Sequence, residues 1–369
     1  MSNYNLTVTL LSPLHIGDGK ELRQGFDFMV KDGYTYRLNE DGILEEKNQL
    51  LQRRRDGTYP LPGELLSDRD YQNGSLFRYI LPGFPRSKKV DARIKTCIKD
   101  VHDRPYIPGS SIKGAFRTAL AWTAFPEVFG EKHLSRADFG RNRFWAAQSL
   151  EQKIFGNDPN HDLLRALQVS DCFGPQKTDE ILRVVNAQVL TRRSSGTPVE
   201  LEAIIGDVIF NGSLRVDDTL FTEMAERVLH FSNRRHWLDE LVPRIQRHSR
   251  ARLRNLIAWY EQAENTGGIA KFLGDLCGAT LNENEAIFQL GWGTGWDGTT
   301  LWTHLQKDAN LFEQLVADYG LHRSTRNAPR RIAGEPFPRS KRALMRVKDG
   351  VATPAAPFGW ALIELKETK

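Results

Sequence analysis

Ile107-Pro108-Gly109-Ser110-Ser111-Ile112-Lys113-Gly114-Ala115-Phe116-Arg117 starts a helix after a Pro-Gly break. Either serine can serve as the N-cap, and Ile112, Phe116, Ala119 and Leu120 recur at helical spacing. Lys113 and Arg117 stand four residues apart and share a face, inside the first two turns. That end of a helix already carries unpaired N–H donors and a partial positive charge. Two cations added there repel each other by a few tenths of a kcal/mol (~0.3) unless an anion sits between them. The pattern predicts a phosphate grip; the simpler alternative is a solvated basic face with a serine cap.

Working outward, Leu6 to Leu11 is a β-branched apolar run closed by Ser12-Pro13, followed by the loop His15-Ile16-Gly17-Asp18-Gly19. Phe26 to Val30 and Tyr34 to Arg37 flank Lys31-Asp32-Gly33 and predict a hairpin. Residues 39–51 and 144–155 read as helices, 167–170 and 181–190 as strands, and 199–216 as a strand pair bent at Gly206 and Gly212. The stretch 217–263 is mostly helical; 286–290 and 359–365 are strand-like. Residues 53–104, rich in Arg, Lys, Pro and Gly, predict a long exposed insertion.

Strands and helices interleave without the serial βαβ rhythm of a parallel sheet. An antiparallel α+β fold in two similar domains is expected. Residues 191–198 give the linker candidate, so the domains are 1–198, with a basic insertion around 53–105, and 199–369, with a helical insertion around 217–285. Phe-Pro-Arg-Ser-Lys occurs at 84–88 and again at 337–341, a small echo between the halves.

The 369 residues are 40% hydrophobic and 26% charged, the balance of a globular chain with an ample core. No apolar run approaches the roughly 18 residues that cross a bilayer, and no secretory leader pattern opens the sequence. Cys97, Cys172 and Cys277 lie far apart and read as reduced thiols of a cytoplasmic protein. The net charge of +5 is modest; its distribution is more telling. Basic residues gather at Arg86 to Lys95, along Arg244, Arg247, Arg250 and Arg254, and from Arg323 to Lys348, which includes Arg339, Lys341 and Arg342. Three such clusters with aromatic residues among them suit contacts to a nucleic-acid backbone.

Gly291-Trp292-Gly293-Thr294-Gly295-Trp296-Asp297-Gly298 matches the spacing of a dinucleotide-binding loop but lacks the βαβ unit that gives the spacing its meaning. Close backbone approach to RNA with base stacking on the tryptophans is one reading; a tight turn with its tryptophans packed inward is the other. Gly17 and Gly19 form a smaller version of the same loop. Catalytic signals are thin: there is no His-Glu-x-x-His, no Cys/His metal spacing and no Gly-x-Ser-x-Gly elbow. His15 is a candidate base for a metal-independent ribonuclease, and Asp18 or Asp297 could activate a 2′-hydroxyl or simply cap a turn. The residues point to RNA binding without catalysis and to no cofactor; cleavage through His15 is the alternative, and a dinucleotide enzyme built on Gly293 to Gly298 is a third.

The opening Leu11 to Gly19, the Ile107 to Arg117 helix start and the late glycine loop resemble the RAMP superfamily of CRISPR systems. Within it, Phe26 to Asp41, Phe337 to Lys341 and Phe358-Gly359-Trp360 are most similar to the fifth-subunit family of type III-A (Csm) effector complexes, the cap proteins. That resemblance implies two ferredoxin-like (RRM-like) domains with insertions. It implies binding toward the 3′ end of the guide crRNA, with target RNA nearby and the adjacent backbone and small Csm subunits as neighbours. It also implies help in guide maturation through host nucleases, without catalysis by the cap itself.

Overall fold

The computed structural model describes residues 2–87, 91–130, 134–193, 195–321 and 331–368. Its central sheet is antiparallel and seven-stranded. The strand order is β13 (Glu285–Gln289), β16 (Trp360–Glu367), β1 (Ser2–Leu10), β12 (Ile209–Val216), β9 (Cys172–Phe173) and β7 (Tyr106–Ile107), with β8 (Leu167–Val169) also on β12. In β1, Leu6, Val8 and Leu10 are buried while Thr7 and Thr9 are only partly covered, so one face of the pleat turns to the core. The helices Gly109–Phe129 and Leu241–Glu261 pack against each other, and both approach this sheet. Phe116 is fully buried, its ring centre 5.7 Å from that of Phe288 in β13; burying one such ring contributes roughly 1.5–3 kcal/mol.

A second, six-stranded sheet runs β15 (Val351–Ala356), β14 (Lys341–Lys348), β10 (Leu182–Leu190), β11 (Ser195–Ile204), β6 (Arg93–Cys97) and β2 (Gly17–Arg23). A small third sheet joins β3 (Phe28–Lys31), β4 (Tyr34–Leu38) and β5 (Phe77–Pro82).

The mixed α+β class and the Asp32-Gly33 hairpin agree with the sequence reading. Several boundaries differ. The expected linker at 191–198 is the connection of the β10–β11 hairpin and the start of β11, since Leu190 pairs with Ser195. The expected domain boundary at 198/199 therefore falls inside β11, and the central sheet draws strands from both ends of the chain. The stretch 53–104, expected to be exposed and only partly ordered, supplies β5 and β6, whose Leu81, Ile94 and Cys97 are fully buried. Gly212 makes no bend but lies within β12, where a Cβ would press on the Cys172 sulfur.

Candidate nucleic-acid interface

Because β1 is antiparallel to β16 and β16 to β13, the C-terminal ends of β1 and β13 meet the start of β16 at one end of the sheet. The loops that follow are laced together by backbone hydrogen bonds. Trp292 N–H donates to the His15 carbonyl at 2.7 Å, Gly359 N–H to Pro13 at 2.8 Å and Leu290 N–H to Gly359 at 2.9 Å. Gly291, with φ +75°, needs to be glycine twice over, since a Cβ there would lie 2.6 Å from the His15 carbonyl oxygen. The opening motif, the late glycine run and the closing Phe358-Gly359-Trp360 thus form one junction.

His15 lies inside this junction. It is 2% exposed, and its Nδ1–H donates to the Glu202 carbonyl at 2.6 Å. Burial holds its imidazole below the ordinary histidine range, against the pull of Glu202. Trp292 meets it edge-on at 6.2 Å and packs against Phe358. Trp296 likewise stands against Phe337. The inward-packed turn is therefore the better description of Trp292 and Trp296. The solvent side of Trp292 carries Arg342, whose guanidinium lies 4.6 Å from the ring centre. Gly17 and Gly19 are exposed at the start of β2.

At the helix start, Pro108 takes the cap position and neither Ser110 nor Ser111 caps with its side chain. The Gly109 N–H instead donates to Asp171 Oδ1 at 2.8 Å. A Cβ at Gly109 would overlap the Val169 carbonyl and the Ser170 backbone. Arg117 is also already matched: Nη1 reaches Asp162 at 2.7 Å, Nη2 reaches Glu151 at 3.1 Å, and the guanidinium covers Phe155. The crowding of Lys113 and Arg117 that suggested an external anion is relieved in large part by the chain's own carboxylates. Lys113, by contrast, makes no hydrogen bond or ion pair among the described residues. Burial pulls its ammonium below the usual lysine range, Asp162 opposes this, and Arg117 adds to it. Lys113 and Arg117 line a cleft of about 810 Å³ that Trp296 shares.

The basic clusters divide. Lys341 is buried in an ion pair with Asp297 at 2.5 Å, so it cannot reach a phosphate. Arg244, expected on the exposed face of its helix, is buried between Glu127 and Glu240. Arg250, Arg254 and Arg342 are exposed; Arg339 is exposed beside Glu335. Lys88, Lys89, Arg323, Arg326 and Arg330 lie outside the described residues.

Sequence reasoning missed two polar centres under this surface. Buried Glu202 accepts from Tyr79 Oη at 2.8 Å and Cys97 N–H at 2.9 Å, and pairs with Lys99. Buried Arg252 donates to Gln289 at 2.7 Å and to the Thr294 carbonyl at 3.2 Å, holding the glycine run from beneath. Their alternation with apolar neighbours was the available signal, and it looks like an ordinary solvated strand or helix edge. Among the described residues no cluster of His, Cys, Asp or Glu could hold a metal ion, and no helix is long and apolar enough to cross a membrane.

Comparison with known proteins gives consistent matches. The RAMP superfamily profile fits residues 7–296. The chain is 21% identical to the CRISPR system Cms protein Csm5 of Methanocaldococcus jannaschii, over 97% of this chain and 88% of that protein. A protein of the same name from Streptococcus thermophilus is 28% identical over 184 residues, 46% of this chain and 51% of that one. The fold superposes with TM-score 0.70 and 21% identity on a chain of a type III-A Csm–crRNA–target RNA ternary complex, covering 99% of this chain and 100% of that one. It superposes with TM-score 0.61 and 21% identity on the crystal structure of T. onnurineus Csm5, covering 96% and 99%.

Proposed function

Since the chain belongs to the RAMP superfamily, we propose that it is the crRNA-binding cap subunit of a type III-A Csm effector complex. The observation that carries this reading is the match to Csm5 along 97% of the chain and 88% of the relative. In this reading the protein sits toward the 3′ end of the crRNA, contacts neighbouring Csm subunits, supports assembly and crRNA maturation in the cytoplasm, and leaves cleavage to other proteins, host nucleases among them. The order β16-β1-β12-β9 with two helices on the sheet supports a ferredoxin-like unit; the second sheet would be its altered counterpart. Lys113 and Arg342 are among the cations left open to phosphate, and Ser110, Gly17 and Gly19 are exposed as well. Arg117, Lys341 and His15 shape the surface from within.

Copurification tests the reading. The tagged chain, expressed with the other subunits and a repeat-spacer array, should bring down Csm proteins and mature crRNA. Lys113→Glu combined with Arg342→Glu should reduce the recovered crRNA without unfolding the chain. Recovery of the wild-type protein free of RNA and of Csm subunits would overturn it. Purified protein incubated with labelled repeat RNA in EDTA should give no His15-dependent cleavage, consistent with the burial of that ring.

A further inference from the structure

The cleft beside Lys113 has features that phosphate binding alone does not explain. Its lining includes Phe144 and Trp145, 74% and 61% exposed, in a short turn. Large aromatic rings left in water on a cleft rim mark a surface that is covered in use. The Arg143 guanidinium lies 4.9 Å from the Phe144 ring centre, a stacked cation and ring.

The charges around the cleft are unequal in their commitments. Its three carboxylates are all taken: Asp162 and Glu151 by Arg117, and Asp158 by His161. Lys113 and Arg143 line the same cleft with no ion-pair partner among the described residues. An occupant therefore meets unmatched positive charge together with aromatic faces. At about 810 Å³ the cleft falls within the roughly 300–1,000 Å³ of small-ligand sites.

We infer that this cleft takes an unstacked RNA nucleotide, its base against the Phe144–Trp145 rim and its phosphate on Lys113. The inference rests on the RNA-binding reading above and extends it from the backbone to a base. A planar ring with a monoanionic phosphate matches both features of the cleft, and the exposed side-chain amide of Gln148 is available to a base edge. An apolar side chain of a protein partner would use the rings but leave Lys113 and Arg143 unmatched.

The test uses the full-length protein and a single-stranded RNA hexamer carrying one 2-aminopurine. Wild type should bind it and quench its fluorescence. Phe144→Ala with Trp145→Ala, both exposed and so tolerated by the fold, should abolish the quenching and weaken binding on the order of 10-fold, the scale of one lost stacking contact. A hexamer with an abasic residue at the probe position should bind the wild type as weakly as the intact hexamer binds the double variant. Unchanged affinity and quenching in the double variant, with the wild type still binding RNA, would overturn the cleft assignment and leave the cap reading intact. A wild type that binds no RNA would overturn both.

Discussion

The Lys341 ammonium lies 2.5 Å from the Asp297 carboxylate, and both side chains are almost wholly buried, 9% and 3% exposed. The pair ties the edge of β14 to the glycine run, and Arg252 approaches the same loop from below. Removing one partner of a buried pair leaves an uncompensated charge in a poorly solvating place. Lys341→Met should therefore cost about 3 kcal/mol or more of unfolding free energy in urea titration. RNA affinity of the folded variant should stay within about twofold of wild type, because a buried lysine makes no phosphate contact. Normal stability with weakened RNA binding would contradict this assignment.

Two glycines of the same helix should respond oppositely. At Gly109 an added methyl has only backbone to push against, so Gly109→Ala should destabilise by about 1–3 kcal/mol or prevent folding. Gly114 is exposed with open space around it, and Gly114→Ala should stabilise by about 0.5–1 kcal/mol through helix propensity. Thermal melts of the two variants side by side decide the matter; equal effects would mean the helix does not start where described.

Salt dependence separates cations that touch phosphate from those that do not. Lys113→Ala and Arg342→Ala should each weaken RNA binding and lower the slope of log affinity against log salt by about one. Arg117→Ala should act chiefly on stability, because Asp162 and Glu151 would lose their shared partner. A slope change for Arg117→Ala as large as that for Lys113→Ala would place Arg117 on the RNA instead.

Burial and the nearby Arg252 and His304 hold the His248 imidazole down to about 3. It stays neutral in the folded chain, while the unfolded chain takes up a proton near the ordinary value of 6.5. The unfolded state then binds more protons as pH falls from about 6.5 toward 3, so stability is lost across that window and none is lost above it. Between pH 7 and pH 5 this group alone should cost about 2 kcal/mol. His248→Leu should show a shallower loss over that range than wild type; parallel pH profiles would exclude His248 as the source.

How much of this was legible follows from which interactions are local. Asp32-Gly33 announces the β3–β4 hairpin, and both residues adopt the positive φ (50° and 84°) that such a turn needs. Asp349-Gly350, with φ 51° and 77°, joins β14 to β15 in the same way, yet there the density of Arg and Lys draws attention to charge instead. Once that stretch is seen as a strand, its period of two puts Lys341 on the side of Ala343 and Met345, in the core, and Arg342 on the other. The helix start is readable because its signals lie within eleven residues; the carboxylates that neutralise Arg117 come from Glu151 and Asp162, and nothing local announces them. The tryptophans of the glycine run turn inward onto Phe337 and Phe358, contacts that composition and spacing cannot foretell.

The pairing of β1 with β16 sets a timetable for biosynthesis. Tyr4 lies opposite Glu367 and Leu10 opposite Ala361, so one neighbour of β1 is synthesised long after β1 itself. At ordinary elongation rates of roughly 5–20 residues per second, β1 waits about 20–70 s with that edge unpaired. Contacts so distant in sequence also slow folding after release. The junction of opening loop, glycine run and β16 can form only after β16 has left the ribosome, so a shorter nascent chain presents no finished junction.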